Sequence, residues 1–251
     1  MTWFHAVLFD FFGTLTYAVS RGPAHAHLAR WLGCDPRVFT AILNETFLDR
    51  ARGGYGSAAQ ALRRVAESTG VHPTRAQLAA VLPARVAAVL ADTRLRPEAE
   101  PVLRAVRARG LATGLVSDCT DELPRYLPDL PIAPLLDTCV FSVEVGVCKP
   151  DPRMYLTACE RLGVEPRRCL YIGDGGSQEL SGARAVGMTA VQLAAPDLTG
   201  HLRFNAERGW TGRTARTLTE AISYLAEAPV PLCPVPPCPV APRLAGAPVV
   251  R

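Results

Sequence analysis

Ala6 to Phe9 is a short apolar run that stops at Asp10. A run without polar alternation predicts a parallel strand buried on both faces. Comparable runs recur at 112–116, 138–141, 169–172 and 189–193. Between and after them, segments 97–109, 152–162, 178–186 and 218–225 carry apolar residues at helical spacing, and Gly110, Gly163 and Gly187 stop the first three. Segment 123–130 reads as a short helix or a loop. Strands alternating with helices predict a doubly wound α/β sheet, Rossmann-like and parallel. The right-handed crossover rule then brings the ends of the strands to one edge.

The alternation is interrupted once. From 21 to 92 the pattern is helical throughout, over 24–31, 35–51, 57–68 and 74–90. Asp35-Pro36, Ser57 and Thr74 read as helix starts, and Gly33, Gly53-Gly54 and Gly70 as stops. The expected organisation is an α/β core from 1–18 and 93–228, an inserted all-helical cap from 19–92, and a tail from 229–251. The tail is proline-rich, carries Cys233 and Cys238, and cannot hold a helix or a central strand.

Composition narrows the function classes. Of 251 residues, 49% are hydrophobic and 20% charged, a globular profile. The net charge of +4 is spread out, with no basic run interleaved with aromatics, which argues against nucleic acid. No apolar run is long enough to span a membrane, and the first strand starts without a basic, cleavable leader, so a cytoplasmic location is expected. None of the eight cysteines forms a C-x-x-C pair, which argues against zinc. Several lie in apolar runs and read as small buried hydrophobes. Lys149 is the only lysine among 27 basic residues. A drift toward arginine does not explain one retained lysine, whereas a site that needs a compact ammonium does.

Four strand ends converge on chemistry. Asp10 follows the first strand, Ser117 the second, Lys149 the third, and Asp174, with Glu179, the fourth. Together they make a phosphoryl site. Asp10 is the nucleophile, Ser117 donates to a phosphoryl oxygen, and Lys149 offsets the charge of both. Asp174 and the Phe12 backbone carbonyl join Asp10 around Mg²⁺, with Glu179 in support through water. Thr14 and Asp118 are assigned to the substrate, a small molecule expected to be a phosphate ester.

The stretches Phe9-Asp10-Phe11-Phe12-Gly13-Thr14-Leu15, Val116-Ser117-Asp118, Val145 to Pro152, and Ile172-Gly173-Asp174-Gly175 with Glu179 to Ala183 follow one another in that order. In order and spacing the chain resembles the haloacid dehalogenase (HAD) superfamily over residues 4–195, with a helical cap in the C1 position. The resemblance implies a Rossmann-like core and, most often, Mg²⁺-dependent phosphatase chemistry through an aspartyl-phosphate. It also exposes a departure. Phosphatases of the family carry a second aspartate two residues after the nucleophile, to protonate the leaving group and activate water, and here that position is Phe12.

Three readings stay open. The first is a phosphatase with a good leaving group, or with an acid supplied from elsewhere. The second resembles the 2-haloacid dehalogenases, which carry an aromatic at the Phe12 position; Lys149 and Tyr155 fit it, Asp174 does not, and Arg37 and Arg50 are candidates for its cap arginine. The third is a catalytically weak binding or regulatory member. His25, His27 and Tyr55 in the helical segment are not placed in the site. Cys148 reads as packing, although the adjacent ammonium could lower its pKa.

Overall fold

The computed structural model describes residues 3–227. The predicted tail of 229–251, with Cys233 and Cys238, lies outside the described residues. Along the chain come β1 (Ala6–Phe9), α1 (Pro23–Trp31), α2 (Pro36–Glu45), α3 (Phe47–Ala51), α4 (Ala58–Glu67), α5 (Arg75–Ala91) and α6 (Ala99–Ala108). They are followed by β2 (Ala112–Ser117), α7 (Glu122–Tyr126), β3 (Thr138–Phe141), α8 (Ser142–Val145), α9 (Pro152–Leu162) and β4 (Cys169–Gly173). Then come α10 (Glu179–Ala185), β5 (Thr189–Leu193), β6 (Arg213–Ala215) and α11 (Leu218–Ser223).

The strands form one six-stranded sheet in the order β3-β2-β1-β4-β5-β6, and every pairing is parallel. This is a Rossmann-like α/β fold. The four residues of β1 are fully buried because successive side chains enter different cores. Val7 and Phe9 pack with Val102, Leu103 and Val106 of α6 and Leu218 and Ala221 of α11. Ala6 and Leu8 pack with Met154 and Ala158 of α9 and Leu180 of α10. A strand covered on both faces has no polar alternate positions, which is why it reads as a continuous apolar run.

The order of the strands reverses about β1, since β2 and β3 lie to one side and β4 to β6 to the other. Crevices of open α/β sheets form at such a switch point, beyond the carboxyl ends of the strands. Asp10, Asp118 and Asp174 follow β1, β2 and β4 directly.

Helices α1, α2, α4 and α5 bury their own core, with Leu28, Phe39, Leu43, Leu62, Val65 and Val81 at its centre. The predicted starts act as caps: Asp35 accepts from Arg37 N and Val38 N, and Ser57 and Thr74 each make a capping box with the glutamine three residues on. The segment 35–51 is not one helix. Thr46 Oγ1 donates to Ile42 O at 2.6 Å, and the chain breaks there into α2 and α3. A hydroxyl that competes for a helical carbonyl weakens the ladder at that turn. Strand β6 is an addition that the apolar pattern did not predict, three residues of which only Ala215 is buried.

Candidate active site

Asp10 is carried on the end of β1, its N–H still bonded to Ile172 O of β4 at 2.9 Å. The chain then turns through Gly13, whose φ is +79°. Any side chain is strained there, and a Cβ would also stand 2.6 Å from His201 Nε2. Arg96 grips the far side of the turn, donating to Thr14 O at 3.0 Å and Gly13 O at 3.1 Å.

Lys149 arrives from the loop between α8 and α9. Its Nζ lies 2.6 Å from Asp10 Oδ1 and 2.5 Å from Glu179 Oε2, and donates at 3.3 Å to Val116 O and to Tyr171 Oη. Glu179 is fully buried, with Tyr171 Oη donating to its Oε2 at 2.7 Å and Gly175 N to its Oε1 at 2.9 Å. Burial alone would lower the lysine pKa, but Asp10 and Glu179 outweigh it and hold Lys149 well above the ordinary lysine range. Tyr155 is buried beneath and donates to Glu179 O at 2.9 Å.

Asp174 accepts from Gly176 N at 3.0 Å through Oδ1, while its Oδ2 is buried without a hydrogen bond. His201 Nε2 and Arg203 Nε stand 3.7 and 3.6 Å from that oxygen. One oxygen each of Asp10, Asp174 and Glu179 lie within 4.8 Å of one another. Three carboxylates against the Lys149 ammonium leave this inner cluster at −2, relieved in part by Arg203. Accordingly, burial and then the Asp10 charge push both Asp174 and Glu179 above the ordinary carboxylate range. A divalent cation with a preference for oxygen ligands fits such a cluster, and the unbonded Asp174 Oδ2 is a free ligand atom for it.

Ser117 is fully buried and its hydroxyl has no hydrogen-bond partner among the described residues. Asp118 Oδ1 accepts from Lys149 N at 3.0 Å, its Oδ2 is unpartnered, and burial raises its pKa. Thr14, expected from the sequence to meet the substrate, sits behind Asp10 instead: it is fully buried and its hydroxyl donates to Asp10 Oδ2 at 3.3 Å. Cys148 is packing. Burial and then the Asp118 charge push its thiol up to about 12, which overturns the lowered pKa that its neighbour suggested.

A cavity opens over Asp10, Lys149, Asp174 and Glu179. Phe12, Phe47, Val89, Leu123 and Phe204 supply its apolar wall. Phe204 stacks on Phe47 of α3 at 4.1 Å between centroids. It belongs to the loop between β5 and β6, which the sequence reading passed over. That loop also contributes His201, whose Nδ1 accepts from Val19 N at 2.8 Å, so the ring proton sits on Nε2, facing Asp174. Phe204 O and Asn205 O accept from Ser177 N and Gln178 N, two residues with φ of 53° and 51°. The strained turn after Asp174 is therefore held from outside itself. His25, left out of the site above, also faces the cavity, as do Arg21, Arg85 and Glu122. His27, Tyr55 and Arg37 are not on its wall, and Arg50 borders a smaller hollow beside it.

The chain is similar to known hydrolases. Over 121 residues the chain is 36% identical to a phosphoserine phosphatase of Thermus thermophilus, covering 43% of this chain and 49% of that protein. Over 98 residues it is 33% identical to (S)-2-haloacid dehalogenase 1 of Pseudomonas sp., covering 39% and 43%. The chain thus spans less than half the length of both relatives. Among solved structures, a 2-haloacid dehalogenase from Pseudomonas syringae pv. Tomato aligns with a TM-score of 0.64 at 22% identity, over 89% of this chain and 98% of that one. A HAD phosphatase from Thermococcus onnurineus aligns at 0.57 and 25% identity, over 88% and 97%. No helix among the described residues is long and apolar enough to cross a membrane. The description "haloacid dehalogenase-like hydrolase" matches residues 4–187, and the chain belongs to that family of hydrolases.

Proposed function

We propose that this hydrolase is a Mg²⁺-dependent phosphatase of small phosphorylated metabolites, working through an aspartyl-phosphate on Asp10, with the helices of 19–92 as a cap that selects the substrate. The observation that carries the reading is the inner acid cluster. Asp174 and Glu179 crowd a carboxylate that is already buried, and a metal-free reaction has no use for the resulting repulsion. Mg²⁺, held by Asp10, Asp174 and the Phe12 carbonyl with Glu179 nearby, would supply charge stabilisation to the phosphoryl oxygens.

The chain's own residues do the rest. Lys149 orients the Asp10 carboxylate and offsets the charge that builds up as it meets the phosphate. Ser117 and Asp118 N offer donors to the phosphoryl oxygens at the end of β2. The Asp10 oxygen forms a bond to phosphorus as the bond to the leaving oxygen breaks, and the leaving oxygen takes the electron pair. Water then attacks phosphorus as the bond to the Asp10 oxygen breaks; that electron pair returns to the Asp10 carboxylate, and the water's protons leave with the released phosphate or to solvent. Phe12 can give no proton to the leaving oxygen, and general acid help is worth about 10²–10⁴-fold. The reading therefore favours aryl or acyl phosphates, whose leaving groups depart without a proton.

A second reading has its own observation. The aromatic Phe12, with Lys149 bonded to Asp10 and Tyr155 beneath, suits metal-independent displacement of halide from a 2-haloacid. A panel of aryl, sugar and acyl phosphates and 2-haloacids, with and without Mg²⁺ and with Asp10→Asn as control, separates the two. Metal-dependent phosphate release is the expected result. Metal-independent halide release would replace it with the second reading, and binding without turnover with a non-catalytic role.

A further inference from the structure

We propose that Arg21 and Arg85, with Arg50 behind them, form a second anion subsite, which takes a single carboxylate carried on the leaving group of the substrate. The inference rests on the phosphatase reading and adds the substrate class, a phosphate monoester whose alcohol or phenol part is a carboxylic acid.

The guanidiniums converge. Leu43 O accepts from Arg50 Nη2 at 2.6 Å and, more weakly, from Arg21 Nη2 at 3.5 Å. The other bonds of these two are also to neutral groups, Arg21 Nε to Asn44 Oδ1 at 2.7 Å and Arg50 Nε to Thr46 Oγ1 at 3.2 Å. Arg85 completes the group. It alone has a carboxylate against it, Glu122 Oε1 at 2.8 Å, and its Nη1 lies 2.9 Å from His25 Nδ1. Since that ring nitrogen accepts from a guanidinium, Nε2 carries the proton and donates to Asp92 Oδ2 at 2.8 Å.

Charge does not balance. Three guanidiniums face Glu122 and Asp92, with His25 neutral, which leaves +1. The crowding weakens their hold on a proton: burial first, then the Arg85 charge, push Arg21 down to about 9 and Arg50 down to about 10. Holding a buried guanidinium on carbonyls and amides is costly, and a planar anion that meets its fork removes the cost. Arg21 and Arg85 both line the cavity over Asp10. One carboxylate there brings the sum to zero, whereas a phosphate dianion overshoots it. The apolar wall of Phe12, Val89 and Leu123 suits a hydrocarbon body bearing that carboxylate.

The test compares 4-carboxyphenyl phosphate with 4-carbamoylphenyl phosphate, phenyl phosphate and 1,4-phenylene bisphosphate, on the full chain with Mg²⁺. The carbamoyl compound has the better leaving group, so chemistry alone favours it over the carboxylate. The expected result is a kcat/KM about tenfold or more higher for the carboxylate, expressed in KM, equivalent to ~1.4 kcal/mol. Arg21→Gln should reduce that ratio to about one or below. If Arg21→Gln does not fold, the ratio in the unaltered protein still decides. Calorimetry with benzoate gives a readout apart from turnover, and binding is expected that Arg21→Gln abolishes. Phosphate release indifferent to the carboxylate, or a preference for the bisphosphate, would overturn the subsite and leave the phosphatase reading standing. No phosphate release from any compound would sink the phosphatase reading, and benzoate binding would then judge the subsite alone: its absence overturns it.

Discussion

Asp174→Asn separates a metal-holding role from a structural one, because the two predict opposite signs. In the metal-free protein Asp174 adds a third carboxylate to a buried cluster with one ammonium inside it, and burial and Asp10 raise its pKa. The Gly176 N–H bond to Oδ1 can survive the change, since asparagine keeps an acceptor. The metal-free variant should therefore be no less stable than the unaltered chain at pH 7.5, because it removes one charge from a desolvated, mutually repelling set. Mg²⁺ should act only on the unaltered chain. At 100 times the dissociation constant it adds about 2.7 kcal/mol, a rise in Tm of roughly 5–11 °C for a chain of this size. The pH dependence follows. Asp174 and Glu179 have raised pKa values in the folded state, so the stability they add is fully present below the unfolded carboxylate pKa. It is lost as pH rises through their folded values. The metal-free protein should thus lose stability from about pH 4 upward on this account, and the Mg²⁺ shift should be larger at pH 8 than at pH 5. Differential scanning fluorimetry with and without Mg²⁺ across that range reads all of this. A variant several kcal/mol less stable without metal, or one that keeps the Mg²⁺ shift, would refute the reasoning.

Lys149→Met should abolish turnover and cost roughly 3–5 kcal/mol by urea unfolding, since Asp10 and Glu179 are left buried without their cation; adding Glu179→Gln should recover a good part of that loss, and simple additivity of the two would contradict the shared network. Phe12→Asp should raise alkyl phosphate hydrolysis by about tenfold or more while changing aryl phosphate hydrolysis far less; equal gains on both would show that proton donation to the leaving group is not what Phe12 withholds. His25, pushed down to about 4 by burial and then by Arg85 and Arg21, should make folding weaker as pH falls from 6.5 toward 4, because the unfolded chain takes up a proton that the folded one refuses. An NMR titration placing His25 near 6.5 in the folded protein would contradict this.

What the sequence made legible depended on how the information is stored. β1, β2 and β4 are covered on both faces, so their apolar runs stand out, and the acids at their ends are marked by position. Lys149 is marked by being the only lysine. The wall formed by Arg21, His25 and Arg85 left no such mark. Arg85 meets His25 across 60 residues and Glu122 across 37, and no local period encodes pairs of that kind. The loop that brings His201, Arg203 and Phe204 to the site is irregular, fixed by bonds to Val19 O, Ser177 N and Gln178 N rather than by a pattern. β6 is short and mostly unburied at a sheet edge, where no apolar run is required. Thr46 breaks a periodicity that runs on past it, because its hydroxyl competes for Ile42 O and hydrophobic spacing does not record that.

Gly173 shows the same gap at a single residue. In the sequence it is one glycine of a Gly-Asp-Gly turn, the sort that glycine serves by its backbone freedom. It is in fact the last residue of β4, and it is absent from the positive-φ glycines that include Gly175. What it provides is space. A Cβ on Gly173 would stand 2.2 Å from Glu179 Oε1 and 2.5 Å from Cδ. The carboxylate that bridges Lys149, Tyr171 and Gly175 N occupies the volume of the missing side chain. Gly173→Ala must displace a group held by three buried hydrogen bonds, two of them to the Lys149 and Tyr171 side chains. The expected cost is about 2–3 kcal/mol, with Asp10 the one carboxylate still bonded to the Lys149 ammonium. Shortening the intruding side chain should undo part of the damage, so Gly173→Ala with Glu179→Asp should be more stable than Gly173→Ala by itself in urea unfolding. A double variant worse than the sum of the two single ones would show that Gly173 serves the backbone after all.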